Sequence, residues 1–152
     1  MDFELKIKII SPLIGKYVDI PSYATTGSAG LDLRACIENS ISLGIKEKIG
    51  IPTGIAIQLP SSFMAGFIFP RSGLATKYGI SLANGVGVID SDYTGEIICV
   101  IQNTGKESYI IKPGDRIAQL VFLPIARAHL VFVEQLLPTE RGQGGFGSSG
   151  IN

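Results

Sequence analysis

The residues with the clearest capacity for chemistry lie near the end of the chain, in Arg141-Gly-Gln-Gly-Gly-Phe-Gly-Ser-Ser-Gly150. The five glycines of this segment free the backbone to adopt positive φ and to turn N–H groups toward an anion. The Arg141 guanidinium can pair with phosphate oxygens, and the Phe146 ring can cover a flat ligand. The segment predicts an arm that closes over a ligand, and the alternative is a disordered glycine-rich tail.

A second candidate segment is Pro70-Arg-Ser-Gly-Leu-Ala-Thr-Lys-Tyr-Gly79, which predicts a short helix over 72–78 after a buried strand. Free N–H groups at the start of a helix can bind a phosphate group. The Arg71 guanidinium and the Ser72 hydroxyl can donate further hydrogen bonds to it, and Gly73 has no Cβ to keep it away from the backbone. The alternative is an ordinary strand-to-helix connection in which Ser72 caps the helix.

The segment from Asn84 to Glu96 reads Asn-Gly-Val-Gly-Val-Ile-Asp-Ser-Asp-Tyr-Thr-Gly-Glu and predicts a β-hairpin, with 86–89 as one arm and the residues from Gly95 as the other. Asp90 follows an apolar pair, where partial burial would hold its carboxylate in place to take a proton from water. The alternative is a turn aspartate that bonds only to its own backbone. Tyr93 can pack on a sugar or simply cover the hairpin.

Two further polar side chains stand out within strand patterns. In 29–35 the alternation places Asp32 and Arg34 on one face, where they predict either a solvated ion pair or an aspartate that holds metal-bound water. Gln119 lies in the apolar run 117–123, so its amide needs partners. It can bond to neighbouring backbone or reach into a polar pocket.

The bulk composition narrows the classes of partner. Thirteen Lys and Arg balance thirteen Asp and Glu without a long run of either sign, which argues against nucleic acid. Cys36 and Cys99 are far apart and His129 is the single histidine, so a Cys/His zinc site lacks ligands and a reduced, cytoplasmic chain is expected. We expect no targeting leader and no membrane span, since the first residues lack a cationic stretch followed by an apolar block and the apolar runs are short.

The hydropathy suggests association between copies of the chain. Mean hydropathy is positive and only 17% of the residues are charged. A homo-oligomer would cover the surplus apolar surface, and a well-filled monomeric β core is the alternative.

The periodicity predicts an all-β fold. Apolar residues alternate with polar ones in 3–9, 31–37 and 55–59. Denser apolar segments predict strands buried on both faces at 63–69, 97–101, 117–123 and 130–133. We expect a sandwich, jelly roll or barrel in a single domain over 1–138, with residues 139–152 forming a flexible arm.

In order and spacing, these five polar segments resemble the five motifs of the trimeric dUTPases, the deoxyuridine triphosphate nucleotidohydrolases. The resemblance runs from about Ala24 to Gly150 and is most specific in Pro-Arg-Ser-Gly-Leu-Ala, Gly-Val-Ile-Asp-Ser-Asp-Tyr and Arg-Gly-Gln-Gly-Gly-Phe-Gly-Ser. It implies a distorted jelly-roll or β-clip-like subunit in a homotrimer with active sites at the subunit interfaces. The implied reaction is Mg²⁺-assisted hydrolysis of dUTP to dUMP and pyrophosphate, which keeps uracil out of DNA and supplies dUMP for thymidylate synthesis.

The resemblance also implies a role for each motif residue. Asp90 would position and deprotonate the attacking water, and Asp32 would bind water on the Mg²⁺ carried by the triphosphate. Tyr93 would stack under the deoxyribose and exclude a ribose 2′-hydroxyl. The residues expected to hold uracil are Asn84, Val88, Ile89 and Ile98. Those expected to contact the phosphates are Arg71, Ser72, Gly73 and Gln119.

The last motif would complete the site as the arm closes. By resemblance, Phe146 would cover the uracil, while Arg141, Gly147 and Ser148 would grip the γ-phosphate. One departure is Thr94, which stands where many relatives carry arginine. Two other functions stay open at this point: a dCTP deaminase or bifunctional deaminase–dUTPase with the same fold, and a nucleotide-sensing binding module.

Overall fold

Residues 3–144 are described by a computed structural model, in which this part of the chain forms ten β-strands and one short helix. The all-β prediction is confirmed. The strands are β1 (Lys6–Ile9), β2 (Leu31–Arg34), β3 (Ile41–Leu43), β4 (Lys48–Gln58), β5 (Met64–Pro70), β6 (Ile80–Leu82), β7 (Gly87–Ile89), β8 (Glu96–Asn103), β9 (Tyr109–Ile111) and β10 (Arg116–Pro124). The helix, α1, spans Ser72–Tyr78, as the sequence predicted.

Two four-stranded antiparallel sheets form the body of the fold. One has the strand order β1-β4-β8-β6 and the other β2-β10-β5-β7, and β3 pairs with β9 in a separate ribbon. Both sheets contribute to one apolar core, and its fully buried members include Leu33, Ile51, Ile101 and Leu120. The architecture is a jelly-roll-like sandwich, in which each sheet packs one face against the shared core.

Strand β8 shows how the alternating pattern divides residues between the core and the site. Ile97, Cys99 and Ile101 are buried, whereas Ile98 and Val100 are exposed on the opposite face. Successive side chains of a strand point to opposite faces, so an almost wholly apolar segment supplies both a core layer and an apolar outer surface.

The expected hairpin over 84–96 is wrong as a pairing of strands. β7 pairs with β5, whereas β8 pairs with β4 and β6 in the other sheet. The chain therefore crosses from one sheet to the other between Ile89 and Glu96. Local turn residues suggested a hairpin, but the free edge of β5 is the partner that β7 takes.

The expected buried strand at 130–133 is also wrong. Regular structure ends at Pro124, and residues 126–143 are exposed, with Phe132 at 95% of its full accessibility. A strand needs a neighbour to pair with as well as apolar residues, and this segment has left the sheet. The boundary predicted after Pro138 stays a prediction, since the chain is exposed on both sides of it.

The helix that residues 3–144 form is too short and too polar to cross a membrane. Cys36 and Cys99 are both buried and unpaired. Helix α1 ends at Gly79, where φ is +69° and the N–H group donates to the Ala75 carbonyl. Gly79 lies directly against the backbone of Gly105, so neither position has room for a side chain.

A buried amide fastens the end of β8 to its surroundings. Asn103 is fully buried, and its Nδ2 donates to the carbonyls of Leu43, at 3.0 Å, and Glu107, at 2.8 Å. Its Oδ1 accepts the N–H of Gly105 at 2.8 Å. The side chain thus satisfies three backbone groups at the junction of β3, β8 and the loop before β9.

Replacing Asn103 with alanine is expected to lower the free energy of unfolding by about 2 to 4 kcal/mol, because backbone groups lose their partners inside the protein. Urea unfolding followed by circular dichroism measures this. The control is Lys106→Ala on the same loop, which is exposed and is expected to change stability by less than about 0.5 kcal/mol. Equal stability of the two variants would contradict the role given to Asn103.

Candidate active site

A small pocket opens where β7 and β8 diverge into their separate sheets. It has a volume of about 130 Å³ and brings together all four residues expected to hold a base. Its lining consists of Ile68, Leu82, Asn84, Gly87, Val88, Ile89, Ile98, Cys99 and Val100. The walls are almost entirely apolar, and Asn84 contributes the one side-chain amide, so the pocket suits a flat ring read by a few hydrogen bonds.

The thiol in this pocket is part of its wall and not a nucleophile. Burial raises the pKa of Cys99 to about 12, because the thiolate would lose its hydration there. The thiol therefore remains protonated at neutral pH, and only thiolates are good nucleophiles.

The turn between the sheets carries Asp90 and Tyr93. Tyr93 N–H donates to the Asp90 carbonyl at 3.1 Å, which closes the turn. The Tyr93 hydroxyl donates to the Glu96 carbonyl at 2.8 Å. Asp90 is exposed, although Ile89 before it is buried, so the expectation of a partly buried carboxylate is wrong. The turn holds its backbone while the carboxylate stays accessible to water.

A second, larger groove lies at the start of α1 and contains the residues expected to contact phosphate. It has a volume of about 490 Å³ and is lined by Arg71, Ser72, Gly73, Leu74, Lys77, Tyr78 and Gln119. Arg71 occupies the N-cap position in extended backbone, and no side chain caps the helix. The alternative in which Ser72 caps the helix is therefore wrong. A Cβ at Gly73 would meet open space.

Asp32 lies in a cluster of positive charge beside this groove. Its Oδ1 is 3.5 Å from Arg71 Nε, and its Oδ2 is 3.2 Å from Arg116 Nη1. The expected exposed pair with Arg34 is wrong, because Asp32 is buried and Arg34 instead bonds to Asp19 at 3.0 Å. One carboxylate between two guanidinium groups leaves a local excess of positive charge, which suits an anionic ligand.

Gln119 connects the groove to the strand next to it. Its Nε2 donates to the Pro70 carbonyl at 3.1 Å, so the neighbouring-backbone alternative holds for this donor. Its Oε1 lies so near Gly30 that a Cβ there would be 2.7 Å away. The amide is therefore held between Gly30, just before β2, and Pro70, at the end of β5, and Gln119 also lines the groove.

Arg116 and Lys77 are site residues that the sequence reasoning missed. Arg116 bonds to Asp32, and its carbonyl lies 3.4 Å from Arg71 Nη1. A period of two assigns residues 116 and 119 to opposite faces. A register shift between Arg116 and Ala118 absorbs one residue, so that Arg116 pairs with Arg34 and Gln119 with Asp32 on one face. Lys77 follows from the helical spacing, since it lies one turn beyond Gly73.

A metal ion held by protein ligands alone does not fit the described residues. Between residues 3 and 144, no group of three His, Cys, Asp or Glu side chains is arranged to bind one. Asp32 provides a single carboxylate beside a groove of cations. That donor set fits a hydrated metal that arrives on a phosphate ligand and is held through water.

Part of the predicted arm lies outside the described residues. Arg141 is exposed, and its Nε donates to the Gly144 carbonyl at 2.9 Å within a local turn. Phe146, Gly147 and Ser148 lie beyond residue 144 and are not described. The structure thus gathers the other candidate residues around two separate pockets and the turn at Asp90.

Comparison with known proteins gives one consistent family. The dUTPase family model matches residues 16–150. A deoxyuridine 5′-triphosphate nucleotidohydrolase of Pectobacterium carotovorum is 47% identical over 147 residues, 97% of each chain. A protein of the same name from Escherichia coli O9:H4 is 46% identical over the same share.

A solved structure agrees with this match. The Staphylococcus bacteriophage 80alpha dUTPase with dUPNHPP superimposes with a TM-score of 0.84 at 29% identity, covering 97% of this chain and 99% of that one. The chain belongs to the dUTPase family.

Proposed function

We propose that this dUTPase hydrolyses dUTP to dUMP and pyrophosphate, and that the Asp90 carboxylate directs a water molecule at the α-phosphorus. The observation that carries the proposal is the small pocket between β7 and β8, which gathers Asn84, Val88, Ile89 and Ile98 beside the turn that holds Asp90. A base bound there would bring its sugar and first phosphate toward that turn. Water, base and scissile bond would then share one location, which is the main requirement of phosphoryl hydrolysis.

Recognition of uracil rests on the polar groups of an otherwise apolar pocket. Asn84 and the backbone of β7 and β8 can complement the carbonyls and N–H of uracil. Cytosine presents a donor and a bare acceptor in place of an acceptor and an N–H, and each mispaired buried group costs roughly 1–3 kcal/mol. The narrow pocket would also exclude the 5-methyl group of thymine.

The turn supplies the sugar contact and the base for catalysis. Tyr93 would lie under the deoxyribose and leave no room for a ribose 2′-hydroxyl. The accessible carboxylate of Asp90 would orient the attacking water and accept its proton.

Stabilisation of the phosphates is assigned to the groove at the start of α1. Arg71, Ser72, Gly73 and Gln119 would contact phosphate oxygens, with Arg116 holding Asp32 in place. When bound on the triphosphate, Mg²⁺ neutralises negative charge and favours departure of pyrophosphate. Asp32 would hold that ion through water, and its two arginine partners prevent its charge from repelling the ligand.

We further propose a homotrimer with active sites between subunits. In one chain the base pocket and the phosphate groove are separate, and Asp90 lines neither, so a neighbouring copy is needed to bring them together. Apolar side chains of residues 130–137 are exposed, including Leu130, Phe132 and Leu137, and association would cover them. The arm would then close over the nucleotide with its residues Arg141, Phe146, Gly147 and Ser148.

We place the enzyme in the cytoplasm, because its two free buried thiols suit a reducing compartment.

Substitution of Asp90 by asparagine is expected to lower kcat at least about 100-fold while nucleotide binding persists, since the amide cannot accept the proton of water. Pyrophosphate release measures turnover, and titration with a non-hydrolysable dUTP analogue measures binding. The matched control is Asp92→Asn in the same exposed turn, expected to retain most activity. Near-normal turnover of D90N would remove Asp90 from this role.

Among the nucleotides, dUTP is expected to be hydrolysed with a kcat/KM about 10²- to 10⁴-fold above those of dCTP and dTTP, because two buried groups are mispaired by cytosine and the methyl group of thymine is excluded. Pyrophosphate release from each nucleotide is the measurement. Ammonia is measured in parallel, and its release from dCTP would favour the deaminase alternative. Equal rates with dTTP and dUTP would contradict the pocket assignment.

Removal of residues 139–152 is expected to leave a folded trimer whose kcat/KM for dUTP falls at least about tenfold, because the closing arm both adds phosphate contacts and expels water. Analytical ultracentrifugation checks the assembly. A control that lacks only residues 151–152 keeps the glycine-rich motif and is expected to match the intact chain. Unchanged kinetics without the arm would make it a spacer.

A further inference from the structure

The ring of Tyr93 is held by the backbone of the segment that follows it. Its hydroxyl donates to the Glu96 carbonyl at 2.8 Å. The ring lies so close over Gly95 that a Cβ there would be 2.7 Å from the Tyr93 hydroxyl oxygen. The position of the ring therefore follows the position of the peptide groups at Gly95 and Glu96.

The two residues at this point, Glu96 and Ile97, are each linked to β4 by a hydrogen bond that involves a side chain. Glu96 Oε1 accepts the N–H of Gly54 at 2.9 Å. Thr53, which is buried, donates its hydroxyl to the Ile97 carbonyl at 2.7 Å. The start of β8 is thus held at two consecutive residues, directly beyond the turn that carries Asp90.

The point of attachment on β4 is a bulge. Pro52 pairs with Ile98 and Ala56 with Glu96, so three residues of β4 lie opposite Ile97 alone. Gly54 sits in this bulge with φ at +73° and is buried. Its N–H group lies outside the regular β4–β8 pairing, and the Glu96 carboxylate is the acceptor that it reaches.

We propose that Glu96 is a positioning residue that sets the discrimination between deoxyribose and ribose. The inference rests on the proposed function, in which the Tyr93 ring forms the floor under the sugar. The chain of contacts runs from the bulge at Gly54 through the Glu96 carboxylate to its carbonyl, and from there to the Tyr93 hydroxyl. Without the carboxylate the peptide can tilt, the ring moves with it, and space opens for a 2′-hydroxyl.

The test compares kcat/KM for dUTP with kcat/KM for UTP in the assembled full-length enzyme. Glu96→Ala is expected to lower this ratio about tenfold or more, since small displacements of a substrate contact carry large kinetic effects. The loss is expected mainly as a higher KM for dUTP and a faster reaction with UTP. Glu96→Gln keeps an acceptor oxygen and is expected to restore the ratio to within about threefold of the wild type.

The matched control is Glu47→Ala, which removes a carboxylate that also accepts a glycine N–H, that of Gly44 at 2.7 Å, in the turn between β3 and β4. It is expected to leave the ratio unchanged. Tyr93→Phe cuts the same connection at its other end without disturbing Gly54, so it tests the proposal even where Glu96→Ala does not fold. It is expected to lower the ratio in the same direction.

The outcomes separate this inference from the proposed function. A wild-type enzyme inactive on dUTP would overturn the proposed function itself. A wild type that prefers dUTP, with the ratio unchanged in Glu96→Ala or in Tyr93→Phe, would overturn only the positioning role. A lowered ratio in Glu47→Ala as large as that in Glu96→Ala would also overturn it, because general loosening of the fold would then explain the effect.

Discussion

The crossing of the chain from one sheet to the other between Ile89 and Glu96 is the constraint on which the site depends. Because β7 pairs with β5 and β8 with β4, the two strands separate and leave a space lined by their side chains. Had they paired with each other as a hairpin, that space would be filled by a ladder of backbone hydrogen bonds. The turn that spans the gap carries Asp90, so the crossing that creates the pocket also fixes the backbone of Asp90 between the two sheets.

A β-bulge in β10 brings charged side chains together beside the same two sheets. The shift between Arg116 and Ala118 turns Arg116 toward Asp32, which also receives Arg71 from the end of β5. A buried carboxylate needs such partners, since an isolated buried charge is costly. Two arginines on one aspartate leave one positive charge uncompensated beside the groove. The chain, whose formal net charge is zero, therefore has a local excess of positive charge beside this groove without being basic as a whole.

Much of the fold and site could be predicted from local sequence. The helix over Ser72–Tyr78 and the strand periodicity follow from short-range patterns, whereas the four residues expected to hold a base, all of which line the small pocket, were implied by the family resemblance. The errors share a cause. The false hairpin, the expected pair between Asp32 and Arg34 and the false strand at 130–133 each required knowing which distant segment is adjacent. Periodicity specifies the face on which a side chain lies, and it does not specify the partner that the face meets.

The amino-acid sequence by itself determined the all-β class, the residue types available for phosphate and base recognition, and the family resemblance that unites them. Those properties depend on local alternation and on motif order, both of which are written along the chain. Tertiary structure alone decided that β7 and β8 belong to different sheets, that Arg116 joins Asp32, and that Glu96 reaches Gly54. These contacts join segments 42 to 84 residues apart or depend on a bulge, so they form only when competing pairings are settled by packing of the whole core.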